Sequence, residues 1–232
     1  MPRRRRSPRF ESRHRTYLRD LALLLTVLGG TGTGAFYTAD GVSGEGTRTT
    51  ATTLPAGVEE PVTRSGRCGV ERWDVKTMSD PAAGSVHFTP KVASVTELGQ
   101  ITAPRWTPHL ARQSDEEQVY TVKAQMTAAK MEDDSDIHLA VADPANPTAT
   151  MIVEFPDAAC DTNAAGGVRT QMTAARNGFI AACGQPGDSY VTLRGTAVVT
   201  GVFFFDKIHG QRGVAPNGAE LHPALSFSGT CR

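Results

Sequence analysis

Two short stretches of the sequence concentrate side chains that could bind a ligand or take part in a reaction. Residues 209–223 read HGQRGVAPNGAELHP, and residues 131–138 read MEDDSDIH. Carboxylate oxygens and neutral imidazole nitrogens can together hold a divalent cation, and a cation with an open coordination position can polarise water. The candidate ligand-binding residues are Asp134, Asp136, His138, His209, Gln211, Asn217, Glu220 and His222. The candidate metal ligands among them are Asp136, His138, His209 and His222.

Neither stretch matches an established catalytic or metal-binding motif. The EDDSD run lacks the glycine and the distal glutamate of an EF-hand loop, there is no H-E-x-x-H pair, and no serine lies in a G-x-S-x-G elbow. A structural role is the alternative, because Asn217-Gly218 is a turn signal and a long ordered loop must satisfy its own backbone groups. The sequence therefore identifies no catalytic residue.

The hydrophobic pattern predicts the elements that position these stretches. Apolar and polar residues alternate over 118–130, 136–143 and 150–155, which predicts three strands. Apolar residues over 168–182 recur at steps of three and four, which predicts an amphipathic helix. Residues 190–206 and 221–228 predict two further strands, the first with a bend or bulge at Gly195 and Gly201.

The residues before this run predict a short extension that contains β-structure. Alternation over residues 69–77 predicts a strand, and residues 85–94 predict a second, short strand that ends at Pro90. Residues 95–98 predict a helical turn. The folded region is therefore expected to begin near Cys68.

The order β-β-β-α-β-β is that of an OB-fold, a five-stranded, partly open barrel. The predicted fold class is mainly β with one helix, a small OB-like barrel preceded by the extension, and a meander sheet with one covering helix is the alternative. In OB-folds the loop between strands one and two and the loop between strands four and five flank the binding face. The barrel thus predicts that residues 131–136 and 206–220 lie at one rim.

The N-terminal part of the chain has the composition of an export signal. Residues 1–20 carry eight arginines and two acidic residues, and a short apolar run with small residues follows at 21–39. This pattern predicts a signal peptide or an uncleaved signal-anchor, with a secreted or cell-surface protein as the result. Residues 40–66 are rich in Gly, Thr and Pro, which predicts a flexible stalk before a single domain over 67–232. A buried helix with a basic tail is the alternative.

Four cysteines fit an exported protein, and none has C-x-x-C spacing. The preferred disulfide pairing joins Cys160 to Cys183, which would bracket the predicted helix, and Cys68 to Cys231, which would tie the two ends of the folded region together. Buried free thiols are the alternative.

Four segments resemble a family of uncharacterised exported bacterial proteins: CGVERWDVKT (68–77), DSDIHLAVADP (134–144), TMIVEFPDAAC (150–160) and residues 199–227, which contain HGQ-x-GVAPN-x-x-ELHP. The resemblance covers about residues 68–227. It implies that the family pattern includes Asp136, His138, His209, Gln211, Asn217, Glu220 and His222, and it implies no activity. The strand order also resembles the staphylococcal-nuclease type of OB barrel, but the chain lacks that enzyme's pattern of arginines and carboxylates.

Three functions follow as hypotheses. The first is a non-enzymatic module that binds an extracellular or envelope ligand, with no cofactor expected. Nucleic acid is disfavoured because the residues after position 20 carry 16 basic against 22 acidic side chains, whereas phosphates require positive surface. The second is a metal-dependent hydrolase, of phosphodiesterase or nuclease type, in which the Asp/His cluster holds a divalent metal. The third is a structural role in the envelope. Residues 21–39 would contact the membrane if they are not cleaved.

Overall fold

The computed structural model describes residues 68–231. The predictions for residues 1–39 and 40–66 lie outside the described residues. Among residues 68–231, no helix combines the length and the hydropathy that a membrane span requires.

Seven strands and three helices make up the described chain. The helices are α1 (Trp73–Lys76), α2 (Val95–Leu98) and α3 (Gly166–Cys183), and two 3₁₀ turns lie at Ala83–Ser85 and Ser114–Glu117. The strands are β1 (His87–Val92), β2 (Gln118–Met131), β3 (Ile137–Ala142), β4 (Thr150–Phe155), β5 (Val191–Thr192), β6 (Gly195–Phe205) and β7 (Ala219–Cys231).

Five of these strands close into a barrel in the order β2-β3-β4-β7-β6, and β6 pairs back onto β2. All pairings in the barrel are antiparallel except that of β4 with β7, where Val153 lies opposite Leu221 in a parallel register. The helix α3 follows the third barrel strand. This is the OB-like barrel that the sequence predicts, and the meander alternative is wrong because β7 lies between β4 and β6.

Alternating apolar side chains fill the barrel. Leu139, Val153 and Leu221 are fully buried inside it, since every second residue of a strand points to the same face. Helix α3 packs against β7 and places Phe179 between Phe155 and Phe227, with ring centroids 5.2 and 5.5 Å away. These contacts hold β3, β4 and β7 in place, and the outer surface of the same strands carries the polar side chains described below.

The segment predicted as a strand over residues 69–77 is instead a loop and the single-turn helix α1. One helical turn is too short for a 3.6-residue period to appear in the sequence, so the pattern of residues 69–77 indicated a strand. Arg72, which precedes the turn, has a left-handed backbone conformation (φ 52°), and its side chain is buried. The turn at 95–98 is confirmed as α2.

Two other strand predictions differ from the structure in their bounds. Strand β1 continues past Pro90 to Val92, which is possible because β1 is an edge strand that lies exposed along its length. The run 190–206 is divided into β5 and β6 before Gly195, whose φ of 123° is one that residues with a Cβ rarely adopt. Strand β7 is longer than predicted because it extends along β6 to Cys231.

Both predicted disulfide pairs are wrong, and so is the free-thiol alternative. The bonds join Cys68 to Cys160 and Cys183 to Cys231, with Cα–Cα distances of 5.4 and 5.1 Å. Helix α3 runs along β7, so its last residue, Cys183, meets the end of the last strand rather than Cys160, which lies in the loop before the helix. Cys160 instead tethers the segment that leads into α1.

Candidate functional site

The outer surface of β3, β4 and β7 carries a row of polar side chains. His138 on β3 lies opposite Glu154 on β4, and Glu220 and His222 lie on β7, at positions that alternate with the apolar residues of the barrel interior. All four are buried, with at most 6% of each residue exposed. Outward-facing residues of a small barrel are buried only if other segments cover them, and two segments do so here.

The first cover is the loop between β6 and β7, residues 206–218. Gly213 has a φ of 88°, and a Cβ at this position would lie 2.5 Å from the Cβ of Ala140, so only glycine allows the loop to approach β3 this closely. Asn217 fixes the other end of the loop. Its Nδ2 donates to the carbonyl oxygens of Leu98 and Ile101, both at 2.9 Å, and its Oδ1 accepts from the Ala219 amide at 3.0 Å.

The second cover is helix α1 and the residue before it. The Arg72 guanidinium binds both carboxylate oxygens of Glu116, at 2.8 and 2.6 Å, and neither side chain is exposed. It also donates to the Phe205 carbonyl oxygen at 2.8 Å and stacks 4.5 Å from the ring of Phe204. This pair anchors α1 on the barrel, and Lys76, one turn later, is thereby directed at the polar row.

Between the covers and the strands lies an acidic cavity of about 20 Å³, large enough for one water molecule or one small ion. Within the described chain its acidic lining residues are Glu132, Asp134, Asp136, Glu154, Asp206 and Glu220. The other lining residues are Lys76, His138, His209, Gln211 and His222. Carboxyl groups thus outnumber the cationic side chains on its wall.

His138 is hydrogen-bonded through both ring nitrogens. Nδ1 lies 3.0 Å from Glu154 Oε1 and 3.2 Å from Glu132 Oε1, while Nε2 donates to the Arg212 carbonyl oxygen at 2.9 Å. Burial works against a charged ring, but the attraction of Glu154 and the hydrogen bonds to both carboxylates raise the pKa of His138 to about 11. These contacts favour the protonated, charged form of the His138 ring.

His222 has a different environment, although it is just as buried. Its Nε2 lies 3.5 Å from Asp136 Oδ2 and its Nδ1 lies 3.6 Å from Glu220 Oε2, and neither nitrogen has a hydrogen-bond partner among the described residues. Burial lowers the pKa of His222 below its ordinary value, which favours the neutral ring. A neutral imidazole beside two carboxylates leaves their charge uncompensated.

Several carboxyl groups of the acidic cavity resist ionisation. Burial raises the pKa of Asp136, Glu154 and Glu220 to about 7, and raises that of Asp134 to about 6. Oxygen atoms of the first three, namely Asp136 Oδ2, Glu154 Oε2 and Glu220 Oε2, have no hydrogen-bond partner in residues 68–231. A buried polar atom without a partner destabilises the folded protein, so a bound proton or cation would stabilise these carboxyl groups.

Lys76 supplies part of the missing positive charge. Its Nζ lies 3.2 Å from Asp206 Oδ2. Burial opposes its charge, yet the attraction of Asp206, Glu220 and Glu154 raises the pKa of Lys76 above the ordinary 10.5. Glu132 lies at the outer side of the cavity. Burial tends to raise its pKa, but the hydrogen bonds of His138 and Lys130 outweigh burial and lower the pKa of Glu132 to about 2.

Seven of the eight residues that the sequence singles out as candidate ligand-binding residues line the acidic cavity. The exception is Asn217, whose hydrogen bonds hold the covering loop. His209 is exposed, and its amide donates to Gln211 Oε1 at 2.9 Å, so these two residues shape the loop at the cavity edge. The structure therefore brings the two stretches of sequence together at one rim, as the barrel order predicts.

The ligand atoms that come closest together are not those of the predicted metal quartet. Among the described residues, atoms of Glu132, His138 and Glu154 lie within 4.8 Å of one another, and only His138 belongs to the quartet. Asp136 and His222 face each other on an adjoining part of the wall, and His209 lies at the surface. The sequence did contain a signal for Glu154: a lone acidic residue at an outward position of the apolar strand TMIVEF.

A second, open pocket of about 420 Å³ lies against the acidic cavity, and we call it the vestibule. It shares five lining residues with the cavity: Lys76, Glu132, Asp134, Asp206 and His209. Trp73 and the loop at 69–71 form its far side. The vestibule provides a path from solvent to the acidic wall.

Comparison of the chain with protein-family models, with curated proteins and with solved structures finds no significant match. The family resemblance of the closing motif therefore stays a prediction, and the acidic cavity is the feature of the chain that bears on its function.

Proposed function

We propose that this chain is an exported or membrane-anchored, non-enzymatic binding module whose ligand is a small inorganic cation held in the acidic cavity. The observation that supports the proposal is the set of unpartnered, buried oxygen and nitrogen atoms of Asp136, Glu154, Glu220 and His222 around a space of about 20 Å³. A cation in this space would bind part of this wall and offset the mutual repulsion of its carboxylates.

The size of the acidic cavity narrows the class of ligand. A saccharide or a peptide side chain requires far more than about 20 Å³. A bare divalent cation fits, and carboxylate oxygens are ligands that such cations accept. The two paired disulfides agree with an oxidising compartment, and this supports the export that the N-terminal sequence predicts.

The proposal is tested by thermal denaturation of the purified, chelator-treated protein with Ca²⁺, Mg²⁺, Mn²⁺ or Zn²⁺. A cation present at 100 times its Kd stabilises the folded state by about 2.7 kcal/mol, which raises Tm by about 5–10 °C for a domain of this size. We expect at least one cation to do so, and the double variant Asp136→Asn/Glu220→Gln to lose the effect.

The matched control is Asp115→Asn/Glu117→Gln, which removes the same two charges from residues that do not line the acidic cavity. The control is expected to keep the full rise in Tm. If no cation raises the Tm of the wild-type protein, the acidic cavity is a structural ion-pair network and the proposal is wrong.

A metal-assisted hydrolase is the second candidate, and the vestibule favours it. Asp134 lies on the wall shared by the vestibule and the acidic cavity, and its raised pKa of about 6 suits a group that exchanges protons near neutral pH. Cation-dependent cleavage of a chromogenic phosphodiester that is lost in Asp134→Asn and kept in Asp115→Asn would support this function. Binding without turnover would leave the binding module as the function.

A further inference from the structure

We propose that Glu132, His138 and Glu154 are the protein ligands of the bound cation, and that the cation is a zinc-like or first-row transition metal rather than Ca²⁺ or Mg²⁺. This inference rests on the proposed function, since it names the ligands and the metal class of the same acidic cavity.

The ligand atoms of Glu132, His138 and Glu154 lie within 4.8 Å of one another, and the two distances from His138 fit a shared metal ion. His138 Nδ1 lies 3.2 Å from Glu132 Oε1 and 3.0 Å from Glu154 Oε1. Two adjacent ligands that each bind a metal at about 2.0–2.2 Å are separated by about 2.8–3.6 Å in octahedral or tetrahedral geometry. The metal would take the position on Nδ1 that a proton holds in the cation-free protein, and that proton would be released to solvent.

The second nitrogen of His138 is already placed as it is in metal sites. A histidine that binds a metal through one nitrogen usually donates its other N–H to a carbonyl or a carboxylate, which fixes the tautomer and the direction of the lone pair. Here Nε2 donates to the Arg212 carbonyl oxygen at 2.9 Å. Because Gly213 allows the loop to approach β3, the loop between β6 and β7 acts as the positioning element of the ring.

One carboxylate oxygen of Glu154 has no partner among the described residues. Glu154 is 6% exposed, and its Oε2 has no hydrogen-bond partner among the described residues although it belongs to a cavity-lining residue. Glu154 would thus bind the metal with one oxygen or with both. Asp136, Glu220 and His222 line the same cavity and carry further unpartnered atoms, and the carboxylates of Asp136 and Glu220 would add negative charge to its wall.

The ligand types select the metal class. One imidazole and two carboxylates suit Zn²⁺, Mn²⁺, Fe²⁺ and Co²⁺, whereas Ca²⁺ takes six to eight oxygen ligands and Mg²⁺ keeps most of its waters. Glu132 is half-buried and lines the vestibule as well as the acidic cavity. The open coordination positions would therefore face the vestibule, where water or an exogenous ligand can reach them.

The test uses the purified, disulfide-bonded protein and calorimetric titration with Zn²⁺, Mn²⁺, Ca²⁺ and Mg²⁺. We expect Zn²⁺ or Mn²⁺ to bind at least about 100-fold more tightly than Ca²⁺ and Mg²⁺. His138→Gln and Glu154→Gln should each weaken that binding by more than about 100-fold, since loss of a group that merely orients a ligand already weakens metal binding about 10- to 100-fold. His109→Gln and Glu117→Gln are the matched controls, because neither residue lines the acidic cavity.

Two measurements keep the test valid if the buried variants do not fold. Glu132→Gln changes a half-buried ligand at the surface of the cavity and should also weaken binding. Nitrogen NMR of uniformly ¹⁵N-labelled wild-type protein should show the Nδ1 resonance of His138 change from a protonated to a metal-bound nitrogen on addition of Zn²⁺, with Nε2 still protonated.

The outcomes separate this inference from the proposed function. If Ca²⁺ or Mg²⁺ binds as tightly as Zn²⁺ and Mn²⁺, or if His138 Nδ1 stays protonated in the metal complex, the ligand assignment is wrong while cation binding stands. If none of the four cations binds, both proposals are wrong.

Discussion

Substitution of Glu220 by Gln should make the cation-free protein more stable and should weaken its cation binding. Glu220 is 1% exposed, and its Oε2 has no partner among the described residues. Its pKa rises from 4.5 to about 7 on folding, chiefly because burial disfavours the charged form. An acid whose pKa is raised in the folded state destabilises that state when it ionises, so stability is lost as pH increases between the two pKa values.

The size of the effect follows from those two values. Each pH unit between them is worth about 1.4 kcal/mol, so the ionised Glu220 destabilises the folded protein by about 3 kcal/mol at pH 8 and by less than about 1 kcal/mol at pH 5. A glutamine of nearly the same shape carries no charge and avoids this loss. Glu220→Gln should therefore gain a few kcal/mol at pH 8 and much less at pH 5.

The assay is urea denaturation of chelator-treated wild-type and Glu220→Gln protein at both pH values, followed by the same measurement with the cation that binds the wild type. Glu117→Gln serves as the control and should change stability by less than about 0.5 kcal/mol. With saturating cation the order should reverse, because the variant has lost a carboxylate close to the bound charge. If Glu220→Gln destabilises the cation-free protein at pH 8, the carboxylate is a structural partner of His222 and the acidic cavity does not hold uncompensated charge.

Three further predictions concern the wild-type pH dependence and the segments that cover the acidic cavity. The cation-free wild type should lose stability between pH 5 and pH 8, because buried carboxyls such as Asp136, with a pKa of about 7, ionise in that range. Saturating cation should abolish the loss. Denaturation that gives the same slope of unfolding free energy against pH with and without cation would contradict this. Glu116→Gln should cost about 3–5 kcal/mol in chemical denaturation, because it leaves the Arg72 guanidinium buried without its anion, whereas a change below about 1 kcal/mol would show that α1 is not anchored by this pair. Replacement of Cys68 and Cys160 by Ala should lower the free energy of unfolding by on the order of 4 kcal/mol, as expected for a loop of 92 residues. It should also lower cation affinity, because it releases the segment before α1. Unchanged affinity in calorimetry would show that this segment does not contribute to the site.

The barrel was predictable because its strands carry a local signal. Strands β2, β3 and β4 each have one face on the apolar interior, so their sequences alternate with a period of two, and α3 repeats at three and four. Element order then restricted the topology to very few arrangements, of which the OB-like barrel was one. The extension was harder to predict, because α1 is a single turn whose position depends on a buried ion pair between residues 44 apart in sequence.

Some residues of the candidate site could be predicted from the sequence, and others could not. Histidines and acids in polar loops stand out, and the barrel order brings those loops to one rim. Lys76 could not be found, because no local pattern showed that α1 would direct it at the acidic cavity. The predicted disulfides failed for a similar reason: the pairing of Cys183 with Cys231 follows from the packing of α3 along β7.

By itself the sequence determined the kinds of side chain available, the strand and helix periods, and through them the barrel order, because each of these depends on residues close together in the chain. Only the tertiary structure decided which acids are buried, because burial depends on what covers a strand and not on the strand itself. Residue 154 shows the difference. In sequence it is one glutamate in an apolar run. In the folded protein the loop between β6 and β7 covers it, one of its carboxylate oxygens pairs with His138, and the other has no partner among the described residues.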